Sequence, residues 1–151
     1  MKKRLLFSLM ALFMLSVVLV SCKDDDDNDS DSKAAIIGKW TCKSEILYVD
    51  GKQDEEETFI ATADEYMTYE FKSDGTVTYT EYGPGNKVHG TSTDKWSISG
   101  NKLTFTWTDS DTGKEDSDAY TFSISGNTLT MTAEETEEGH TYKEVDTYVK
   151  L

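Results

Sequence analysis

A repeated pattern of alternating residues constrains the fold of this chain more than any other feature of its sequence. The segment WSISGNKLTFT at 96–106 recurs 26 residues later as FSISGNTLTMT, and FKSDGTVTYT at 71–80 is a looser copy. In each copy, apolar and polar residues alternate on both sides of a Gly-Asn or Asp-Gly pair that tolerates positive φ. Period-two alternation is typical of half-buried strands, so each copy predicts a tight β-hairpin.

The same alternation extends from Ala34 to the end of the chain, and no segment has convincing helical periodicity. We therefore predict an all-β fold. Eight antiparallel strands with alternating faces can close into an up-and-down barrel, which removes exposed sheet edges. A β-sandwich is the competing architecture. The predicted strands are 36–48, 66–73, 76–82, 91–99, 101–108, 118–125, 128–134 and 141–151.

The predicted connections alternate in length along the chain. In an antiparallel meander, successive connections fall at opposite ends, so the tight turns should gather at one end and the long loops at a mouth. Both ends of the barrel domain should then lie at the tight-turn end. The short connections are at Gly75, Gly100 and Gly126, and the longer ones are at 49–65, 83–90, 109–117 and 135–140.

The N-terminal segment has the pattern of a secretory signal: Lys2, Lys3 and Arg4 precede an apolar run. Its end, LVSC at 19–22, resembles the lipobox of bacterial lipoproteins, in which the cysteine is acylated. We predict a signal peptide over 1–21, acylation of Cys22 by diacylglycerol and palmitate, an acidic disordered tether over 22–33 and a barrel domain over 34–151. The acidic run after Cys22 is similar to the signal that carries some lipoproteins to the outer face of the outer membrane. A solvated linker is the alternative.

The charge and cysteine content of the chain limit which partners and which covalent links are expected. The chain has 29 acidic and 15 basic residues, a net charge of −14, which disfavours nucleic acid. Cys42 is the only cysteine besides Cys22, so no disulfide is expected within the domain. We expect a monomer that meets the membrane through its lipid.

Two motifs resemble lipocalin-like domains, the small calycin-type barrels found in some bacterial lipoproteins. Gly38-Lys-Trp40 at the start of the first strand resembles the Gly-x-Trp motif of lipocalins, and YEFKSDGT at 69–76 resembles the second-hairpin signature. The resemblance implies that Trp40 plugs the closed end and that Gly38 permits its close packing. The chain has no arginine after Arg4, so the arginine that stacks on the family's tryptophan has no counterpart.

Aromatic residues near the predicted long loops suit a small apolar or amphipathic ligand at the open end of the barrel. They could equally be ordinary core residues of a filled barrel. In that case the acidic loops would make the domain a non-enzymatic module that contacts a protein or glycan. The candidate ligand-binding residues are Tyr48, Met67, Tyr69, Tyr79, Trp107, Tyr120, Met131 and Tyr142, while Val145 and Val149 are expected to face inward beside them.

Little in the sequence points to catalysis or to a bound cofactor. His89 and His140 fall in predicted loops, and no zinc spacing, phosphate loop or nucleophile elbow is present. Asp109-x-Asp111-x-Gly113 has part of a calcium-loop spacing without its closing glutamate. We predict no enzymatic activity, no cofactor and no metal site.

Overall fold

A computed structural model describes residues 26–56 and 58–151 of the chain. This part contains one α-helix, ten β-strands and a short 3-10 turn at Pro84–Asn86. The helix and strands are α1 Asp26–Ile36, β1 Gly38–Val49, β2 Lys52–Gln53, β3 Phe59–Ile60, β4 Tyr66–Phe71, β5 Thr76–Gly83, β6 Lys87–Ser99, β7 Lys102–Thr108, β8 Glu115–Ser125, β9 Thr128–Glu137 and β10 His140–Lys150.

Eight of the strands form a closed antiparallel barrel. Strands β4 to β10 pair in sequence order, β1 pairs with β4, and β10 returns to pair with β1, so the sheet closes on itself. The two-residue strands β2 and β3 lie in the first loop and pair with β1. The predicted all-β, eight-stranded barrel is therefore confirmed.

The tight turns lie together at one end, which we call the closed end. The amide of Trp96 donates to the carbonyl of Gly75, and the amide of Phe122 donates to that of Asn101, so each hairpin turn contacts the next strand. Lys150 pairs with Trp40, which brings the end of β10 to the start of β1 at the same end. The opposite end is the mouth.

Two connections at the mouth are shorter than the sequence predicts. Strands β5 and β6 continue to a three-residue connection at Pro84–Asn86, and β9 and β10 continue to Glu138 and Gly139. The predictions of a long loop at 83–90 and a loop of medium length at 135–140 are therefore wrong. Residues 87–93 are mostly exposed on both faces, so these arms carry no hydrophobic alternation by which a strand could be recognised.

The core lies on the inner faces of the strands and extends to the end of the helix. Its largest fully buried side chains include Trp40, Tyr148 and Phe71. Ile36, the last residue of α1, is also fully buried among them. The buried core comprises Ile36, Trp40, Cys42, Met67, Phe71, Val77, Trp96, Ile98, Leu103, Phe105, Phe122, Leu129, Met131 and Tyr148.

A β-bulge in β1 reverses the faces of the residues that follow it. The register with β10 shifts between Cys42 and Ser44, so an extra residue stands in β1. Beyond the bulge, Glu45 lies opposite Asp146, which is buried. Because neighbouring residues of a strand point to opposite faces, Val145 and Val149 face outward, contrary to expectation.

The helix α1 replaces part of the segment that is expected to be a disordered tether. Its C-terminal half contains Ala34 and Ala35, which favour helix, and Lys33, which lies in the last turn where a cation complements the helix dipole. No helix in the described part of the chain is long and apolar enough to cross a membrane. The predicted signal peptide and Cys22 lie outside the described residues.

Candidate ligand-binding site

The closed end is sealed by contacts among α1, β1 and β10. Trp40 is fully buried, and its indole Nε1 donates a hydrogen bond of 2.7 Å to the carbonyl of Ile36. The ammonium of Lys150 lies 5.0 Å from the centroid of the Trp40 ring and donates to the carbonyl of Ala35 at 2.8 Å. Lys150 thus supplies a cation over Trp40. The sequence had offered no candidate for this position, because the chain lacks the arginine that stacks on the tryptophan in lipocalins.

Aromatic rings fill the middle of the barrel around Tyr69. Its ring centroid lies 5.2 Å from that of Tyr79, 5.5 Å from those of Phe105 and Tyr148, and 6.0 Å from that of Phe71. Burial raises the pKa of the Tyr69 phenol well above its ordinary value. This cluster occupies the inner half of the barrel, so any ligand must bind between it and the mouth.

The structure brings several predicted ligand-binding residues together. Tyr79 donates to the sulfur of Met67 at 2.8 Å, and Tyr120 packs edge-on against Phe105 at 5.8 Å. Met131 is buried in the core. By alternation from the buried Phe105 and Tyr148, Trp107 and Tyr142 face inward nearer the mouth, and both are half-buried.

Tyr48 does not join this group. It pairs with Lys143 on β10 and lies after the β1 bulge, so it shares the outer face with Ile46 and Val145. The expectation that Tyr48 faces the barrel interior is therefore wrong. A one-residue bulge is sufficient, because it moves every later side chain of the strand to the other face.

Carboxylates also line the interior, which the sequence does not suggest. Glu45, Glu144 and Asp146 lie on the inner face of β1 and β10, whereas Asp118, which pairs with Phe105 of β7, is exposed. Burial, with the charges of Glu45 and Asp118, raises the pKa of Glu144 to about 7. Burial, with Glu144 and Glu45, raises the pKa of Asp146 to about 9.

One sequence signal could have identified these acids. Residues 142, 144, 146, 148 and 150 form an alternating series of tyrosine, acid, acid, tyrosine and lysine. The aromatic members mark the inner face, whereas the valines of the same strand mark the outer one. Choosing the face by aliphatic residues alone selects the wrong side of β10.

The barrel wall opens between β8 and β9 toward the mouth. Pairing of these strands covers Thr121–Ser125 against Thr128–Thr132 and goes no further, although both strands continue toward the mouth. A groove of about 540 Å³ lies where they part, lined by the inward residues Tyr120 and Ala133 and by outward residues that include Lys102, Thr121 and Glu134. Ala133 pairs with Glu144, so the strand that carries the inner carboxylates lies next to the groove.

The histidine His140 forms a contact between two loops rather than part of the barrel interior. His140 Nδ1 lies 2.7 Å from the carboxylate of Asp50, which also accepts the amide of Thr141, and the pair is exposed. The hydrogen bond from His140, then that from Thr141, lowers the pKa of Asp50. This pair joins the first loop to the β9–β10 turn.

The predicted calcium-like spacing forms a turn. The Asp109 carboxylate accepts the amides of Asp111 and Thr112 and the hydroxyl of Thr112 at 2.7–3.1 Å. These bonds all go to Oδ1 and fix the carboxylate within the turn. Across residues 26–56 and 58–151, no group of three or more His, Cys, Asp or Glu side chains could hold a metal ion.

A closed eight-stranded barrel with a tryptophan at its sealed end defines the class of small lipocalin-type domains. Residues 36–131 match the lipocalin-like domain family. The chain belongs to that family, whose barrels generally bind small hydrophobic ligands and are generally not enzymes. Comparison with curated proteins gives no match, and comparison with solved structures gives none either.

Proposed function

We propose that this chain is a surface lipoprotein whose barrel binds a small apolar or amphipathic molecule at its open end. One observation supports ligand binding above the others. The closed end is sealed by Trp40, whereas the wall toward the mouth parts between β8 and β9 and exposes the inward residues Tyr120 and Ala133. A small molecule can reach the interior there without breaking any strand pairing.

Titration with the neutral fluorescent probe N-phenyl-1-naphthylamine tests this proposal. Binding should raise the probe's emission, and Tyr120→Ala should weaken it because an aromatic wall of the groove is lost. Tyr48→Ala is a matched control, since it removes the same side chain from the outer face of β1. Equal effects of the two substitutions, or no binding by the unaltered protein, would refute the proposal.

The lipid anchor is a separate part of the proposal. The lipobox-like LVSC at 19–22 supports acylation of Cys22, and the acidic run that follows supports placement on the outer face of the outer membrane. The start of β1 lies at the closed end, so a lipid attached before α1 would leave the mouth facing away from the membrane. We further propose that the protein acts as a monomer and catalyses no reaction.

Mass spectrometry of the protein purified from a lipoprotein-producing bacterium tests the anchor. We expect the mass of the chain from Cys22 with three acyl chains, including palmitate, and Cys22→Ser should remove the acyl mass. External protease should digest the domain on intact cells. An unacylated mature chain, or complete protection from protease, would contradict the corresponding part.

The aromatic cluster supports a second candidate function. Rings packed around Tyr69 fill the inner half of the barrel, which favours a scaffold that displays its acidic loops. The partner would then be a protein or glycan bound at the rim. Neutralising the carboxylates of 109–117 and 134–138 should abolish capture of envelope partners if this function is correct.

A further inference from the structure

Asp146 is a buried acid in the barrel interior whose side chain has an unsatisfied hydrogen-bond acceptor. It is only 4% exposed, and its Oδ1 has no hydrogen-bond donor. The neighbouring acid Glu45, directly opposite on β1, receives a hydrogen bond from Tyr148 at 3.3 Å. A buried carboxyl oxygen without a hydrogen-bond donor costs free energy, and such oxygens are rare in native proteins.

The acids nearest Asp146 supply negative charge, and within residues 26–56 and 58–151 no salt bridge joins Asp146 to a lysine. Glu45 faces it from β1, and Glu144 lies two residues away on the same inner face of β10. The charged groups that perturb Asp146 and Glu144 are all carboxylates. Lys150, on the same face of β10, is engaged at the closed end with Trp40 and Ala35. A positively charged donor bound here would therefore replace the proton that Asp146 holds among these acids.

The opening in the wall lies next to the strand that carries this position. Glu144 pairs with Ala133, which lines the groove between β8 and β9, and Asp146 pairs with Met131 one step further inward. Tyr120 forms the opposite side of the groove.

The lining distinguishes an organic cation from a metal ion. No cluster of His, Cys, Asp and Glu side chains in the described ranges has metal-binding geometry. Phenol rings instead lie beside the acids: Tyr148 is two residues from Asp146 on the same face of β10 and donates to Glu45, and the Tyr69 ring lies 5.5 Å from that of Tyr148. Aromatic faces attract organic ammonium groups and also cover their apolar parts.

We propose that the barrel selects an organic ammonium ion with a small apolar body, whose charged nitrogen enters between β8 and β9 and pairs with Asp146. The inference rests on the proposed ligand-binding function and specifies its ligand class. Glu144 lies on the entry path, and Tyr120 packs against the apolar body. Binding places the ammonium beside an ionised carboxylate, so a proton held by Asp146 in the free protein passes to the buffer.

Calorimetric titration of the full mature chain with three matched probes tests this proposal. The probes are 2-phenylethylammonium, the neutral 2-phenylethanol and the anionic 3-phenylpropanoate. We expect the ammonium to bind at least about tenfold more tightly than the alcohol, because only it supplies charge and donors to Asp146. At pH 7.5, titrations in two buffers with different ionisation enthalpies should show release of up to about one proton with the ammonium alone.

Asp146→Asn is the diagnostic variant, and Asp111→Asn is its matched control on an exposed loop. The first should remove the preference for ammonium over alcohol and the proton release, while the second should change neither. Equal binding of ammonium and alcohol, or full ammonium preference in Asp146→Asn, would overturn the ammonium proposal while leaving the proposed ligand-binding function standing. Failure of all three probes and of N-phenyl-1-naphthylamine would overturn both.

Discussion

The ammonium of Lys150 lies over the ring of Trp40, with Nζ 5.0 Å from the ring centroid. Lys150 is the last residue of β10, and Trp40 is the third residue of β1, so the contact joins the two ends of the barrel. The same ammonium donates to the carbonyl of Ala35 in α1. One side chain thus connects the helix, the first strand and the last strand.

Replacing Lys150 by methionine should destabilise the fold. The substitution preserves most of the apolar stem but removes the cation over Trp40 and the hydrogen bond to Ala35. We expect a loss of about 1–2 kcal/mol in the free energy of unfolding, measured by urea denaturation. Lys143→Met, on the exposed outer face of β10, should change it by less than about 0.5 kcal/mol. A similar loss in both variants would contradict the role given to Lys150.

Replacing Trp40 by phenylalanine should weaken the attachment of α1 to the barrel. The variant removes the indole donor from the carbonyl of Ile36 and leaves part of a fully buried volume empty. We expect a loss of about 2–4 kcal/mol in unfolding free energy, together with faster hydrogen exchange at the amide of Ile37. Trp107→Phe, half-buried near the mouth, is the control. Unchanged exchange at Ile37 would show that the indole does not hold the helix.

Gly38 should tolerate no side chain. Its φ of +126° lies outside the regions open to other residues, and a β-carbon there would stand 3.1 Å from Cε of Lys150. We expect Gly38→Ala to cost about 1–3 kcal/mol, measured by thermal or urea unfolding. Gly126→Ala is a milder comparison, because its φ of +58° lies in the left-handed region that other residues can adopt and nothing lies within 4 Å of the added β-carbon. Equal losses in the two variants would show that neither the φ of Gly38 nor its contact with Lys150 matters for stability.

The barrel could be predicted from the sequence because its hairpins carry two independent signals. Alternation places Leu103 and Phe105 on one face, and Gly100 supplies the positive φ of the turn. The copy around Gly126 repeats both signals. The order of the strands then follows from short antiparallel connections.

Hydrophobic alternation alone does not predict the acidic interior, because hydrophobicity does not determine which face of a strand is buried. Val145 and Val149 are more apolar than Glu144 and Asp146, yet the register with β1 turns the acids inward. That register depends on the bulge after Cys42, for which the sequence carries no turn residue.

The buried acids should make the free protein less stable as the pH rises. The pKa of Asp146 rises from an ordinary value near 3.8 to about 9 on folding, so the native state holds this proton more tightly than the unfolded state. The resulting stabilisation is complete below pH 4 and is lost as the pH increases toward 9.

The variant Asp146→Asn has no proton to lose at this position, so its unfolding free energy should fall less between pH 5 and pH 9 than that of the unaltered protein. The expected difference between the two proteins is a few kcal/mol, because one pKa unit corresponds to about 1.4 kcal/mol. Urea unfolding at both pH values measures this difference, and Asp111→Asn corrects for the general effect of removing one negative charge from an acidic protein. Parallel pH dependence in the two Asn variants would mean that Asp146 is already ionised and compensated in the free barrel.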